Sequence, residues 1–306
     1  MKPYIIGMDI GGTNIRVAMG VRGESLQHFQ RIHRQTVLSG EMPVKRLGTF
    51  IRTYIHQYGT GASPTAVVIG FPATLDKNRR RIVQAPNIPG LDGLSADELE
   101  QELGVPVYLE KDVNLLFACD RADLNVPDRG LSVGIYVGTG IGNAICYDGI
   151  PFSGKNGAAG ELGHIPHHGA SISCGCGNLD CAECSASGRY LTWLRDTRFP
   201  DTCIQNLFLE HGNSPELEAF LENLACVIAT ELNILDPEYL VLGGGVLHME
   251  GFPFERLTQR ILLHTRKPYP AEGLQILCSK DGVENGVRGA VAMGWHWIDR
   301  KACATS

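Results

Sequence analysis

Three apolar runs of this sequence each end directly in a cluster of glycines. The runs and their glycines are Tyr4–Ile10 with Gly11 and Gly12, Leu131–Val137 with Gly138–Gly142, and Tyr239–Leu242 with Gly243–Gly245. Short β-branched and aliphatic runs bounded by glycine are typical of buried strands. Glycine has no Cβ, so its backbone N–H groups can approach a ligand closely. The repeated pattern therefore predicts strands whose ends surround one anionic ligand, such as a polyphosphate.

Segments with apolar residues at helical spacing separate these runs. They are Val44–Tyr58, Val113–Phe117, Leu221–Leu235 and Val287–Ile298, and a capping-box pattern at Ser95–Glu98 begins another helix. Strands that alternate with helices predict an α/β fold. At about 150 residues per domain, 306 residues suggest two domains. We expect a first domain over 1–122, a second over 123–287, and a closing helix over 288–306 that packs back on the first.

Charge and hydropathy argue against two classes of partner. The chain has 33 acidic and 27 basic residues, a formal net charge of -6, which is not the basic footprint that a nucleic-acid backbone requires. No stretch approaches the ~18 apolar residues that cross a bilayer, and the first residues lack the apolar segment of a secretory signal. We therefore expect a cytoplasmic protein with no nucleic-acid or membrane partner.

The first glycine cluster contains the elements of a phosphate-binding turn. Asp9 can face a metal ion, Gly11 and Gly12 can expose backbone N–H groups, and Thr13 offers a hydroxyl. The segment lacks the Gly-Lys-Ser/Thr of a Walker loop and the G-x-G-x-x-G spacing of a dinucleotide fold. A single turn of this kind is more often a simple hairpin, but its repetition at three strand ends favours phosphate binding.

Four of the ten cysteines lie between Cys174 and Cys184, and the other six are scattered. One cluster with isolated cysteines is typical of a metal site rather than of a disulfide framework. Cys174, Cys176 and Cys181 have a spacing that can wrap a tetrahedral zinc ion, and Cys184 is one candidate for the fourth ligand. A closed four-ligand site has no open position for substrate, so the predicted zinc is structural.

Together these motifs are similar to those of the ROK family of sugar kinases and repressors, within the actin-like superfamily. The ordered matches are Asp9-Ile-Gly-Gly-Thr13, Gly70-Phe-Pro72, Pro86-Asn87, Asp112 with Asn114, Gly138-Thr-Gly-Ile-Gly142, Gly157-Ala-Ala-Gly-Glu-Leu-Gly-His164, Cys174-Gly-Cys176 with Cys181-Ala-Glu183, and Leu242-Gly-Gly-Gly245. The resemblance spans nearly the whole chain. It implies a two-lobed actin-like (ribonuclease H-like) α/β fold of mixed sheets flanked by helices. It also implies ATP, Mg²⁺ and a hexose as ligands, and a homodimer as the assembly.

The resemblance implies a role for each matching residue. Asp112 is expected to accept the proton of the sugar C6 hydroxyl, although an aspartate at a strand-to-helix junction can also simply cap the helix. His164 is the family's fourth zinc ligand, in place of Cys184. The expected sugar contacts are Asn87, Lys111, Asp112, Glu161, His164 and Glu183. The expected nucleotide contacts are Asp9, Gly11, Gly12, Thr13, Gly138, Thr139, Gly140, Gly142, Gly243, Gly244 and Gly245.

One position departs from the family pattern. Many members have Asn directly before the catalytic Asp, where this chain has Lys111. Lysine only donates hydrogen bonds, so a sugar hydroxyl that faces it has to accept. With the surrounding motifs this departure resembles the D-allose kinase branch of the family. The resemblance implies D-allose as the substrate, while glucose, fructose, mannose and N-acetylmannosamine stay open. Lys111 could equally pair with Glu110 or solvent and say nothing about the sugar.

The family also contains sugar-sensing transcriptional regulators, which carry an N-terminal helix-turn-helix domain. The first predicted strand begins at Tyr4, so we expect no such domain ahead of it. Both the proposed base and the glycine clusters are present, which disfavours a protein that only binds sugar. We therefore expect an ATP-dependent hexose kinase, with a regulator as the alternative.

Overall fold

The computed structural model describes residues 2–40, 42–86, 88–167 and 172–304. Its strands are β1 (Tyr4–Ile10), β2 (Asn14–Val21), β3 (Gln27–His33), β4 (Ala66–Phe71), β5 (Thr74–Leu75), β6 (Ile82–Gln84), β7 (Val107–Lys111), β8 (Leu131–Val137), β9 (Ile141–Tyr147), β10 (Ile150–Pro151), β11 (Tyr239–Gly243) and β12 (Gln275–Cys278). Its α-helices are α1 (Arg34–Leu38), α2 (Pro43–Tyr58), α3 (Ala96–Leu103), α4 (Asp112–Asp123), α5 (Glu183–Ala186), α6 (Gly188–Arg198), α7 (Leu207–His211), α8 (Pro215–Leu235), α9 (Phe254–His264) and α10 (Asn285–Ala304).

The chain divides into two compact units. Unit 1 comprises Met1–Asp123, Ser153–Ala159 and Gly282–Ser306, and unit 2 comprises Leu124–Phe152 and Gly160–Asp281. The short segment Ser153–Ala159 lies within the range expected for the second domain, but it belongs to unit 1. Gly157 explains this placement, because a Cβ there would overlap the backbone carbonyl at the end of β5.

Unit 1 is built on a five-stranded mixed sheet in the order β3-β2-β1-β4-β7. Strand β1 runs antiparallel to β2 and parallel to β4, and β4 runs parallel to β7. The carboxyl ends of parallel strands meet at one edge of a sheet. Asp9, Gly70 and Glu110 are therefore in register across three neighbouring strands at that edge.

Successive side chains on a strand point to opposite faces of the sheet. Both faces of the β1–β4 pair are buried, because helices cover each of them. Ile6 packs into the core that includes α2 and α3. Ile5 packs on the other face, against α4 and α10. The closing helix α10 lies close to β2 because Gly20 has no side chain, and a Cβ there would overlap Val291.

Unit 2 repeats the arrangement with a sheet in the order β10-β9-β8-β11-β12. Strand β8 is antiparallel to β9 and parallel to β11, which is parallel to β12. The long helix α8 shares a core with β8 and β11 through residues that include Leu221, Leu224 and Ile228. The glycine clusters that follow β8 and β11 therefore lie at the same edge of this sheet.

The predicted fold class is confirmed, since each unit has a mixed sheet flanked by helices. The predicted helices correspond to α2, α3, α4, α8 and α10, and α10 begins at Asn285. One local detail differs from a capping box: the Ser95 hydroxyl accepts from the backbone N–H of Asp97 at 3.1 Å, not from that of Glu98. Within the described ranges, no helix is both long and apolar enough to cross a bilayer.

Candidate active site

Asp9 lies at the end of β1, where the hairpin register places it opposite Arg16 on β2. The two side chains form an ion pair with an Nη1–Oδ2 distance of 2.9 Å. Burial raises the pKa of the Asp9 carboxyl, and the charge of Arg16 opposes that rise. The pair holds one carboxylate oxygen of Asp9, which leaves the other as a possible ligand for a cation.

Asp112 is the first residue of α4 and follows directly on β7. Its Oδ1 accepts a hydrogen bond from the backbone N–H of Val113 at 2.8 Å, so the side chain does interact with the start of the helix. Burial, with the Asp9 carboxylate as the second cause, raises the pKa of Asp112 to about 6. An aspartate with such a pKa is ionised at neutral pH yet holds a proton more readily than a surface carboxylate, as a general base requires.

A buried glutamate supports this strand-to-helix junction. Glu110 is almost inaccessible to solvent and forms an ion pair with Arg79, with an Nη1–Oε2 distance of 2.7 Å. Its Oε1 accepts from the side-chain amide of Asn114 at 2.7 Å and from the backbone N–H of Lys111 at 3.0 Å. Burial raises the pKa of Glu110, and Arg79 opposes that rise. These bonds hold the backbone of Lys111 before Asp112 and the side chain of Asn114 after it.

The side chain of Lys111 has a hydrogen-bond partner in another segment of unit 1. Its Nζ donates to the backbone carbonyl of Ala159 at 3.3 Å, in the segment Ser153–Ala159 of unit 1. The backbone N–H of Lys111 donates to Oε1 of Glu110. Lys111 therefore joins β7 to a segment that ends two residues before Glu161.

The first glycine turn connects β1 to β2 and is closed by a hydrogen bond from the N–H of Gly11 to the carbonyl of Asn14 at 2.9 Å. Gly12 and Thr13 are exposed. A Cβ added at Gly12 would meet no atom within 4 Å. At Gly12 the turn thus faces open space rather than protein.

The second glycine turn connects β8 to β9 and packs on the start of α6. The N–H of Gly188 donates to the carbonyl of Gly138 at 2.7 Å, and the N–H of Arg189 donates to that of Thr139 at 3.1 Å. Gly142 lies within β9. A Cβ at Gly138 would meet nothing within 4 Å, whereas one at Gly140 would lie 2.5 Å from Oε2 of Glu183. Glu183 therefore lies directly beside this turn.

The third glycine cluster follows β11 and lies against the end of β8. Gly244 has φ +94°, and a Cβ there would lie 2.5 Å from the carbonyl oxygen of Val137. The N–H of Val246 donates to the same carbonyl at 3.0 Å. Gly245 is exposed, with open space around its Cα. The parallel pairing of β8 with β11 is what brings the second and third glycine clusters together.

The cysteine loop of unit 2 brings four potential metal ligands together. Donor atoms of His164, Cys174, Cys176 and Cys181 all lie within 4.8 Å of one another. Nδ1 of His164 is 3.5 Å from Sγ of Cys174, and the Sγ atoms of Cys176 and Cys181 are also 3.5 Å apart. Tetrahedral zinc with ordinary bond lengths separates its ligand atoms by about 3.5–3.8 Å. The four donors fit a zinc ion, and Cys184 is not a member of this group among the described residues.

Two of the expected sugar ligands adjoin this loop. Glu183 accepts a hydrogen bond from the Cys174 thiol through its Oε1 at 3.2 Å. Nε2 of His164 faces Oε2 of Glu161 at 3.9 Å, whereas Nδ1 of the same ring is the atom near Cys174. Glu161 is exposed. Asn87, the remaining expected sugar contact, lies outside the described residues.

Sequence reasoning missed Arg16, Arg79 and the structural role of Glu110. Arg16 had a detectable signal: a hairpin that pairs Ile10 with Ile15 must also pair Asp9 with Arg16. Arg79 had no such signal, because it reaches Glu110 from a turn far away in the sequence. The two units each contain part of the predicted site, with Asp9, Lys111 and Asp112 in unit 1 and the later glycine clusters and the cysteine loop in unit 2.

Comparisons with known proteins agree on one family. The sequence profile of the ROK family matches residues 5–296. The N-acetyl-D-glucosamine kinase of Vibrio cholerae serotype O1 is 30% identical over 303 residues, which cover 93% of this chain and 97% of that protein. The crystal structure of a ROK hexokinase from Thermus thermophilus superimposes with a TM-score of 0.77 at 27% identity, over 97% of this chain and 99% of that one.

A further solved structure has the same fold. The ROK family glucokinase from Streptomyces griseus, in complex with glucose and AMPPNP, has a TM-score of 0.74 at 24% identity. The matched parts are 95% of this chain and 98% of that chain. At that identity the likeness concerns the fold alone.

Proposed function

The chain belongs to the ROK family, and on that premise we propose that it transfers the γ-phosphoryl group of ATP to the C6 hydroxyl of a hexose, with D-allose as the first candidate. At the coarser level it is an ATP-dependent carbohydrate kinase, as its relatives are. The observation that carries the proposal is the half-buried Asp112 carboxylate at the junction of β7 and α4, with a pKa raised to about 6.

In the proposed reaction the C6 oxygen forms a bond to the γ-phosphorus while the bond from that phosphorus to the β–γ bridging oxygen breaks. ADP leaves with the electron pair of that bond, and Asp112 takes the hydroxyl proton. Catalysis of this kind depends mainly on positioning and on charge stabilisation. Glu110 contributes to positioning, because it holds the backbone N–H of Lys111 and the side chain of Asn114 on either side of Asp112.

The nucleotide contacts follow from the glycine turns. The open space beside Gly12 and Gly138 supports a close approach of phosphate oxygens to their backbone N–H groups. Asp9 is the residue that would hold Mg²⁺, through the oxygen that Arg16 does not bind. When bound, the ion neutralises charge on the β- and γ-phosphates. Gly243, Gly244 and Gly245 are proposed to flank the adenosine.

The zinc is proposed to be structural, held by His164, Cys174, Cys176 and Cys181. In support of this set, four donors of the types that zinc prefers lie within 4.8 Å of one another. Two of the donor pairs are 3.5 Å apart, close to the spacing in a tetrahedral site. The ion would supply rigidity to the loop that carries Glu161 and Glu183. Oε1 of Glu183 lies 3.2 Å from Sγ of Cys174, so any loosening of the metal site would reach an expected sugar ligand directly.

The identity of the sugar is the most specific part of the proposal. Lys111 supports D-allose only if its ammonium group reaches a sugar hydroxyl, and its bond to Ala159 occupies one of its three N–H donors. The relatives named N-acetyl-D-glucosamine kinase make that sugar the main rival. Asn87, Glu161, His164 and Glu183 are proposed to contact the hydroxyls. The homodimer that the resemblance implies stays a prediction.

The decisive experiment measures ADP release with Mg-ATP across a panel of sugars. The panel contains D-allose, glucose, mannose, fructose, N-acetyl-D-glucosamine and N-acetylmannosamine, together with the 6-deoxy form of the best substrate. We expect turnover that requires the 6-hydroxyl and that falls in Asp112→Asn but not in the surface control Asp201→Asn. Sugar binding without ADP release would instead favour a sugar-sensing regulator.

A further inference from the structure

Three residues with metal-binding side chains meet on helices α8 and α9 of unit 2, apart from the cysteine loop. Glu222 and Cys226 are one turn apart on α8, and His264 is the last residue of α9. All three are half-buried. Their donor atoms lie within 4.8 Å of one another. Carboxylate, thiolate and imidazole together form a ligand set that suits zinc and similar divalent ions.

The site is prearranged by its neighbours. Oε1 of Glu222 faces Nε2 of His264 at 2.6 Å. Nη1 of Arg260 donates to the other oxygen, Oε2, at 3.3 Å. The guanidinium of Arg260 thus holds Glu222 in an orientation that directs Oε1 at the imidazole and leaves it available to an ion. Residues that orient ligands in this way strengthen metal binding.

The backbone of His264 is also held in place. The side-chain amide of Asn233 on α8 donates to the carbonyl of His264 at 3.1 Å and accepts from the N–H of Arg266 at 2.7 Å. These two bonds attach the end of α9 to α8, so the imidazole does not depend on the Glu222 contact alone for its position. A ligand set held on two packed helices loses little conformational freedom when it binds an ion.

We propose that Glu222, Cys226 and His264 form a second metal site, which takes a divalent ion of the zinc type with water in the fourth position. Binding replaces the hydrogen bond between Glu222 and His264 by bonds to the ion, and the thiol proton of Cys226 leaves to solvent. Ligand atoms around tetrahedral zinc are about 3.4–3.6 Å apart for these element types, so the 2.6 Å contact has to widen slightly. The ion would connect α8 to α9.

The proposal is independent of the proposed kinase function and of the cysteine-loop zinc. The test is a zinc titration of the full chain, first stripped of metal, against a chromophoric chelator. We expect Cys226→Ser to bind one zinc fewer than the native protein, and Glu222→Gln to bind the same ion more weakly. Cys203→Ser is the control, because Cys203 is an exposed cysteine outside both groups of ligands.

Two further readouts separate a metal site from a structural hydrogen bond. Cobalt(II) added to a Cys176→Ser background should give a thiolate charge-transfer band that disappears when Cys226→Ser is added. Zinc should raise the melting temperature of the native chain more than that of Cys226→Ser, with both variants equally folded before zinc is added. Equal zinc stoichiometry and affinity in the native chain and Cys226→Ser would overturn the site, whatever the cysteine loop binds.

Discussion

Lys111 donates a hydrogen bond from its Nζ to the backbone carbonyl of Ala159, 48 positions further along the chain, at 3.3 Å. This contact gives Lys111 a role beyond the sugar contact and the surface pair that its position in the sequence suggests. It attaches the residue before Asp112 to the segment that leads to Glu161.

Removal of this donor should weaken sugar binding. We expect Lys111→Met to raise the KM for the sugar about tenfold, because a hydrogen bond to a charged group contributes about 1.5 kcal/mol. Lys111→Arg keeps a donor and serves as the matched control. Steady-state kinetics on the sugar panel are the measurement. An unchanged KM would show that the bond to Ala159 does not position the sugar ligands, and a changed substrate ranking in Lys111→Asn would indicate direct sugar contact.

Asp112→Asn should lower the turnover of the enzyme while it raises the stability of the fold. Loss of a general base lowers turnover by about 10²–10⁴-fold. At pH 8 the variant should nevertheless have a higher free energy of unfolding than the native protein, by up to about 3 kcal/mol. The reason is that burial disfavours the ionised form of Asp112, whose pKa is raised to about 6. The amide oxygen can still accept from the N–H of Val113. Urea unfolding at pH 8 and pH 5 tests this, and a less stable variant at pH 8 would contradict it.

If Asp112 is the base as proposed, the same pKa sets the pH dependence of the reaction. Below about pH 6 Asp112 is protonated and cannot accept the hydroxyl proton, so kcat/KM should fall tenfold per pH unit as the pH decreases. Asp9 is the second cause of the raised pKa. Asp9→Asn should therefore move the midpoint of the profile to lower pH, whatever its effect on the maximal rate. A midpoint that stays in place would mean that another group controls the profile.

Two classes of glycine substitution should differ in their effects on the melting temperature and on the KM for ATP. Gly12→Ala and Gly138→Ala add a methyl group to open space, so the melting temperature should not change. The KM for ATP should rise in both if phosphate approaches these backbones. Gly244→Ala should instead lower the melting temperature, because φ is +94° and the methyl group would lie 2.5 Å from the carbonyl of Val137. Thermal melts with ATP titrations measure both effects, and an unaltered KM in Gly12→Ala would count against a phosphate contact.

Cys176→Ser should remove the proposed structural zinc. Metal analysis should show one zinc fewer per chain, and the KM for the sugar should rise because Glu183 touches the same loop through Cys174. Cys184→Ser is the informative control, since Cys184 is a neighbouring cysteine outside the four-donor group. Equal zinc loss in Cys184→Ser would restore it as the fourth ligand in place of His164.

The sequence by itself determined the features that depend on local order. Apolar periodicity and the placement of glycines predicted β1, β8 and β11 with their turns. Close cysteine spacing predicted a metal loop; its donor atoms do lie together, and the zinc stays a prediction. These signals lie within a few residues of one another, so covalent geometry and side-chain alternation are enough to interpret them. The position of Asp112 at the start of α4 was predictable for the same reason.

Only the tertiary structure decided which distant side chains meet. The Arg79–Glu110 ion pair, the bond from Lys111 to Ala159, and the group formed by Glu222, Cys226 and His264 each join residues from separate elements. The same holds for His164, whose imidazole reaches Cys174 while Cys184 stays outside the group. No local pattern specifies such meetings, because they follow from how the sheets and helices pack and from which buried polar groups must be paired.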